Sequence, residues 1–119
     1  MSVDLHRQVE ELTAQAERLD AAGDRAGATQ LYLQAAERES HVYEGVPRSR
    51  PRTRGIIAVS VVSLLWRAGA HAEVVRMGQK YLTEPELPAF ARAQIGDLLV
   101  NRDPAQPPTA TPVTSAMGD

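Results

Sequence analysis

The chain has 119 residues, of which 43% are hydrophobic and only 4% aromatic, so any core must consist mainly of alanine, leucine, valine and isoleucine. Fifteen acidic against thirteen basic residues give a net charge of −2, which does not favour a dedicated nucleic-acid-binding protein. Cysteine is absent, which excludes disulfides, thiolate catalysis and cysteine-based metal sites.

Composition also suggests an origin and a location. Lys80 is the single lysine against twelve arginines, a bias that is typical of proteins from GC-rich bacterial genomes. The first ten residues are charged and lack the apolar run of a secretory signal. The longest apolar stretch, 56–66, falls well short of the roughly 20 residues that span a bilayer. We therefore expect a cytoplasmic protein without membrane association.

The first part of the chain predicts two paired helices. Apolar residues recur at three- and four-residue steps over 3–22 and again over 25–40. Between these segments, Gly23 can adopt the left-handed backbone that ends a helix, and Asp24 can cap the next helix. Because the connection is so short, the two helices must be antiparallel.

A stretch rich in proline and arginine, 41–54, interrupts the helical pattern and is predicted to be a loop. It contains four arginines at alternate positions, namely Arg48, Arg50, Arg52 and Arg54. They could neutralise about as many phosphates, but no aromatic residue stands among them for base stacking. Three interpretations stay open: a solvated loop, a contact with nucleic acid or phosphate, and docking on the acidic first hairpin or on a partner.

Three further helices are predicted, over 52–68, 70–82 and 88–101. The β-branched residues of 56–62 would also suit a buried strand, but they continue without a turn signal into 63–69, and this length favours a helix. Being apolar on nearly all sides, this helix should be central. Residues 102–119 contain four prolines and almost no large apolar residue, so we expect a disordered tail.

The predicted hairpins resemble tetratricopeptide repeats. The first has the family's small, apolar, turn and aromatic residues at the family's spacing: Ala16, Leu19, Gly23, Ala28, Tyr32 and Ala35. The second keeps Leu65 and Gly69 but departs afterwards, at Val74, Gly78 and Tyr81. The two turn glycines are 46 positions apart, against a period of about 34 in the family. The resemblance implies an all-α domain over 1–101, in which two antiparallel hairpins form a right-handed stack and the fifth helix is a cap.

The resemblance also implies a ligand site, because the first helix of each pair lines a concave groove that holds peptides in this family. The corresponding candidates are Glu10, Thr13, Glu17, Asp20, Ile56, Val59, Ser63, Trp66 and Arg67. The acidic half suits a basic or amine-bearing segment, and Trp66 is a candidate anchor. Equally, the acids could be a solvated helix face, Trp66 could be core, and the fifth helix or a second subunit could fill the groove.

Catalytic patterns are not found in the sequence. His6, His41 and His71 lack metal-ligand spacing with acidic residues, and there is no phosphate-binding glycine loop or nucleophile elbow. We expect no catalytic, metal or cofactor site. The leading hypothesis is a non-catalytic adaptor or scaffold that binds a protein segment or itself. The alternatives are a nucleic-acid-associated accessory protein that uses the arginine loop, and an obligate homo-oligomeric subunit.

Overall fold

The computed structural model describes residues 3–101, and these form five α-helices and no strand. The helices are α1 (Val3–Ala21), α2 (Arg25–Gly45), α3 (Pro51–Arg67), α4 (His71–Leu82) and α5 (Ala89–Val100). The all-α prediction is confirmed for this part of the chain, and the strand alternative for 56–62 is wrong. The disordered tail predicted for 102–119 lies outside the described residues.

Glycines end α1 and α3 in the same way. Gly23 has a φ of 89° and Gly69 a φ of 75°, a left-handed conformation that side-chain-bearing residues rarely adopt. After the first of these turns, the Asp24 carboxylate accepts a hydrogen bond from the Gly27 amide at 2.9 Å and caps α2. Both turns therefore reverse the chain within three residues.

Helix α2 is longer than the sequence pattern predicted. It continues to Gly45, because Val42 and Tyr43 extend its buried face and are 2% and 1% exposed. The Tyr43 ring lies 4.6 Å from the ring of Tyr81 in α4. The helix ends where Val46 adopts the extended backbone that a following proline favours. The loop predicted over 41–54 is therefore corrected to 46–50.

Helix α3 is the centre of the fold, as its apolar sequence suggests. It contacts α2, α4 and α5, and nearly half of its residues are buried, among them Ile57, Ala58, Val61, Val62 and Leu65. Its small residues permit close approach, since Ala58 is 0% exposed and Gly55 lies under the start of α5. A Cβ atom at Gly55 would be 2.9 Å from Cδ of Pro88.

Long-range contacts give the directions of the helices. Arg38, near the end of α2, donates to Gln8, near the start of α1, at 2.9 Å, so these helices are antiparallel. Thr29, near the start of α2, donates to the carbonyl of Ala68 at the end of α3. Helices α1 and α3 therefore run parallel, each packed on α2, and no α1 Cα atom lies within 8 Å of an α3 Cα atom. Helix α5 packs on α3 and α4 and leaves the space between α1 and α3 open.

Candidate functional site

A groove lies between the parallel helices α1 and α3, with α2 as its floor. Its volume is about 550 Å³, which falls within the range of about 300–1,000 Å³ that ligand sites occupy. Thirteen residues line it: His6, Val9, Glu10, Thr13, Ala14 and Glu17 from α1, Glu39 from α2, and Ile56, Val59, Ser60, Ser63, Leu64 and Arg67 from α3. We call this space the α1/α3 groove.

Seven of the nine sequence-predicted groove residues lie in its lining: Glu10, Thr13, Glu17, Ile56, Val59, Ser63 and Arg67. These residues are expected from the register of the repeat that the hairpins resemble, in which the first helix of each pair lines a groove. Asp20 is elsewhere, since its carboxylate accepts a hydrogen bond from Arg25 at 3.2 Å beside the α1–α2 turn.

Trp66 is not a groove residue. It is 5% exposed, and its indole N–H donates to the carbonyl of Asn101, just beyond the end of α5. The side chain thus joins the ends of two parallel helices, which is the core interpretation that the sequence left open. An anchoring role for Trp66 in the α1/α3 groove is therefore corrected to a structural one.

A pair of polar side chains marks each end of the groove. At one end, Arg67 of α3 donates to Glu17 of α1 at 3.1 Å, and both side chains are about half exposed. At the other end, Nε2 of His6 lies 3.3 Å from Oε2 of Glu10. Between them the walls are largely apolar, and Ile56 is 51% exposed. An exposed isoleucine beside acidic residues gives the groove both apolar and negative surface.

Glu39 is one of six groove residues that the sequence did not indicate, with His6, Val9, Ala14, Ser60 and Leu64. It is 6% exposed, and its Oε1 atom has no hydrogen-bond partner among the described residues. Burial raises the pKa of Glu39 above its ordinary value, although the Ser60 hydroxyl and the charge of His6 act in the opposite direction. The signal was present in the sequence, because Glu39 continues the buried stripe of Tyr32 and Ala35 one helical turn further.

The four arginines of the predicted basic loop do not form a uniform cationic surface. Arg54 is turned inward, where it donates to the carbonyl of Val46 at 2.6 Å and to Glu84 at 3.2 Å, and it lies 4.2 Å from the Tyr43 ring centre. Arg48 lies 3.8 Å from Glu86, and the Arg52 guanidinium lies 5.5 Å from the Phe90 ring centre. Arg50 is exposed at the residue preceding α3.

This arrangement weakens the phosphate-binding hypothesis in physical terms. Three of the four guanidiniums already contact carboxylates, carbonyls or rings of this chain, so a phosphate backbone would have to compete with those contacts. The inward-facing Arg54 would also lose its partners if it turned outward. Local sequence alone cannot reveal this, because the partners come from α2, α5 and the α4–α5 connection.

A second, smaller cleft of about 330 Å³ lies on the other side of the molecule, between α2 and α4. Leu33, Ser40 and Met77 are among its lining residues, together with the paired Glu73 and Arg76. None of the candidate groove residues and none of the four loop arginines lines this cleft. It therefore provides an internal comparison for any ligand expected in the α1/α3 groove.

Neither a metal-binding cluster nor a membrane-spanning helix is found among the described residues. Over 3–101, no three His, Cys, Asp or Glu side chains are grouped so that they could hold a metal ion. Over the same residues, no helix combines the length and apolar character needed to cross a membrane.

Comparisons with known proteins add no further assignment. No protein-family model matches the sequence, and no curated protein or solved structure matches it either. The inference of function therefore starts from the geometry of the α1/α3 groove.

Proposed function

We propose that the protein is a non-catalytic interaction module, an adaptor or scaffold, that binds a segment of a partner protein in the α1/α3 groove. One observation carries the proposal: two helices distant in sequence flank an open groove that combines exposed apolar surface with carboxylates. Ligand sites in proteins are typically concave and largely apolar, with a small number of polar groups, as this groove is. Extended or helical peptides bind in such grooves through a few anchoring side chains.

We also propose a tetratricopeptide-like stack of hairpins. Support comes from the small residues of the first hairpin, since Ala16, Ala28 and Ala35 are each 0% exposed, as expected where two helices cross closely. The departures in the second hairpin have local explanations. A Cβ atom at Gly78 would be 3.0 Å from Leu99 of α5, so the position where the family has an aromatic residue faces another helix instead. The Tyr81 ring packs at a tilt of 56° against Tyr43 of the extended α2.

Selection of peptides tests the groove. The full chain is used to select binders from a phage-displayed library of random dodecapeptides, and their affinities are compared between the wild type and Ile56→Glu. Because Ile56 is 51% exposed, this change should leave folding nearly intact while placing a charge on the apolar wall. The matched control is Val100→Glu, at an apolar residue that is 85% exposed and outside the groove.

We expect the binders to lose at least about tenfold in affinity for Ile56→Glu and to keep their affinity for Val100→Glu. Equal affinity for both variants, or a selection that yields no binder, contradicts the proposal. Light scattering of the full chain addresses self-association, the other form of the hypothesis. A dimer that Ile56→Glu dissociates would show that the groove holds a second copy.

A further inference from the structure

The floor of the α1/α3 groove holds a carboxylate that the fold pairs only in part, through the Ser60 hydroxyl. Glu39 is more than nine-tenths buried, yet its Oε1 atom lacks a hydrogen-bond partner among residues 3–101. Burying a charged or polar group without a partner lowers the free energy of unfolding, so each such group in a folded protein calls for an explanation. Because Glu39 lines the groove, a group that enters the groove can reach it.

The basic side chains in the lining of the groove are already paired with residues other than Glu39. Arg67 is paired with Glu17 at one end, and His6 lies against Glu10 at the other. No arginine or lysine from the described residues is paired with Glu39. The lining contains three glutamates against one arginine, so the groove has a negative field that favours a positively charged occupant.

The walls above Glu39 suit the stem of a long cationic side chain. Val9 of α1 faces Ile56 and Val59 of α3 across the groove. Lysine and arginine bury their methylene stems on apolar surface of this kind while the charged end reaches a polar partner. Apolar neighbours in the same segment would then cover the exposed part of Ile56.

We infer that the occupant of the groove is a partner-protein segment that inserts one arginine or lysine side chain between α1 and α3 to pair with the Glu39 carboxylate. This inference rests on the proposed function and adds the chemistry of the partner. Charge complementarity favours such a segment over the chain's own residues 102–119, whose single cation, Arg102, is only two positions beyond the last residue of α5.

The test uses the dodecapeptide binders selected with the full chain. Each binder is synthesised a second time with its arginine replaced by citrulline, or its lysine by norleucine, which removes the charge and nearly conserves the shape. Affinities of both forms are measured by calorimetry for the wild type, for Glu39→Gln and for the matched control Glu37→Gln. Glu37 is exposed on the same helix and lies outside the groove.

We expect one cation per binder to be essential, with at least about a tenfold loss on neutralisation in the wild type and in Glu37→Gln. In Glu39→Gln the charged and neutral peptides should bind almost equally, because the cycle isolates this one pairing. Binders that depend on Ile56 but are indifferent to the cation, or to Glu39, overturn the inference and leave the proposed function standing. Binders indifferent to Ile56→Glu overturn the proposed function itself.

Discussion

Arg54 donates to Glu84 at 3.2 Å and thereby ties the first turns of α3 to the connection between α4 and α5. Both side chains are mostly buried, at 12% and 19% exposure. Burial alone would raise the pKa of Glu84, but the neighbouring Tyr43 hydroxyl and Arg54 guanidinium lower it below its ordinary value. Glu84 is therefore held as a carboxylate, and Arg54 is part of the structure rather than of a free basic loop.

Replacing Arg54 by alanine should lower the free energy of unfolding by about 1.5–3 kcal/mol, because Glu84 and the Val46 carbonyl both lose their donor. The control is Arg48→Ala. Its pair with Glu86 is long, at 3.8 Å, and exposed, so we expect a change below about 0.5 kcal/mol. Urea denaturation of the two variants measures both values. If both variants changed the free energy of unfolding by the same small amount, Arg54 would be a solvent-exposed arginine like Arg48.

Glu39→Gln should stabilise the free protein at neutral pH. The amide keeps the shape of the side chain and removes the buried charge, so the gain at pH 7 should be about 1–3 kcal/mol. Folding raises the pKa of Glu39 above the ordinary value of 4.5 that applies to the unfolded chain. The contribution of Glu39 to the free energy of unfolding of the wild type therefore decreases as the pH rises above 4.5. The advantage of the variant should therefore be smaller at pH 4 than at pH 7.

Urea denaturation at the two pH values measures this difference, with Glu37→Gln as the exposed control. His6 and Glu10 face Glu39 from α1 and are unchanged in both variants. An advantage for Glu39→Gln that is equal at pH 4 and pH 7, or a loss of stability at pH 7, would mean that the carboxylate is well solvated or paired in solution.

The seating of α5 on α3 can be tested with two glycines. Glycine to alanine within a helix normally stabilises by roughly 0.5–1 kcal/mol. At Gly55 the new methyl group would be 2.9 Å from Pro88, so we expect destabilisation by about 1–3 kcal/mol instead. At Gly96, in α5, an added Cβ atom would have no atom of another described residue within 4 Å beyond its own helix backbone and chain neighbours, and the normal gain should appear. Thermal denaturation of the two alanine variants measures both effects. If both variants were more stable than the wild type, α5 would not be closely packed on α3.

The sequence predicted the helices well because each buries an apolar stripe that helical spacing reveals. It missed the end of α2, since Val42 and Tyr43 stand among loop-like residues and their burial depends on α4. Trp66 was misplaced for a similar reason, because its partner Asn101 lies 35 positions away. The groove residues of α1 and α3 could be predicted from the repeat register. The buried position of Glu39 follows from the stripe of Tyr32 and Ala35, but its unpaired Oε1 atom does not, because that depends on the side chains that α1 and α3 bring near it.

Binding of a protein segment between α1 and α3 can be located by amide chemical-shift mapping of the full chain with a selected dodecapeptide. This measurement reports the position of the ligand without any substitution. We predict that the largest shifts cluster at Thr13, Val59 and Ser63, in the α1/α3 groove. Shifts that cluster instead at Ser40 and Met77, in the cleft between α2 and α4, would contradict binding between α1 and α3.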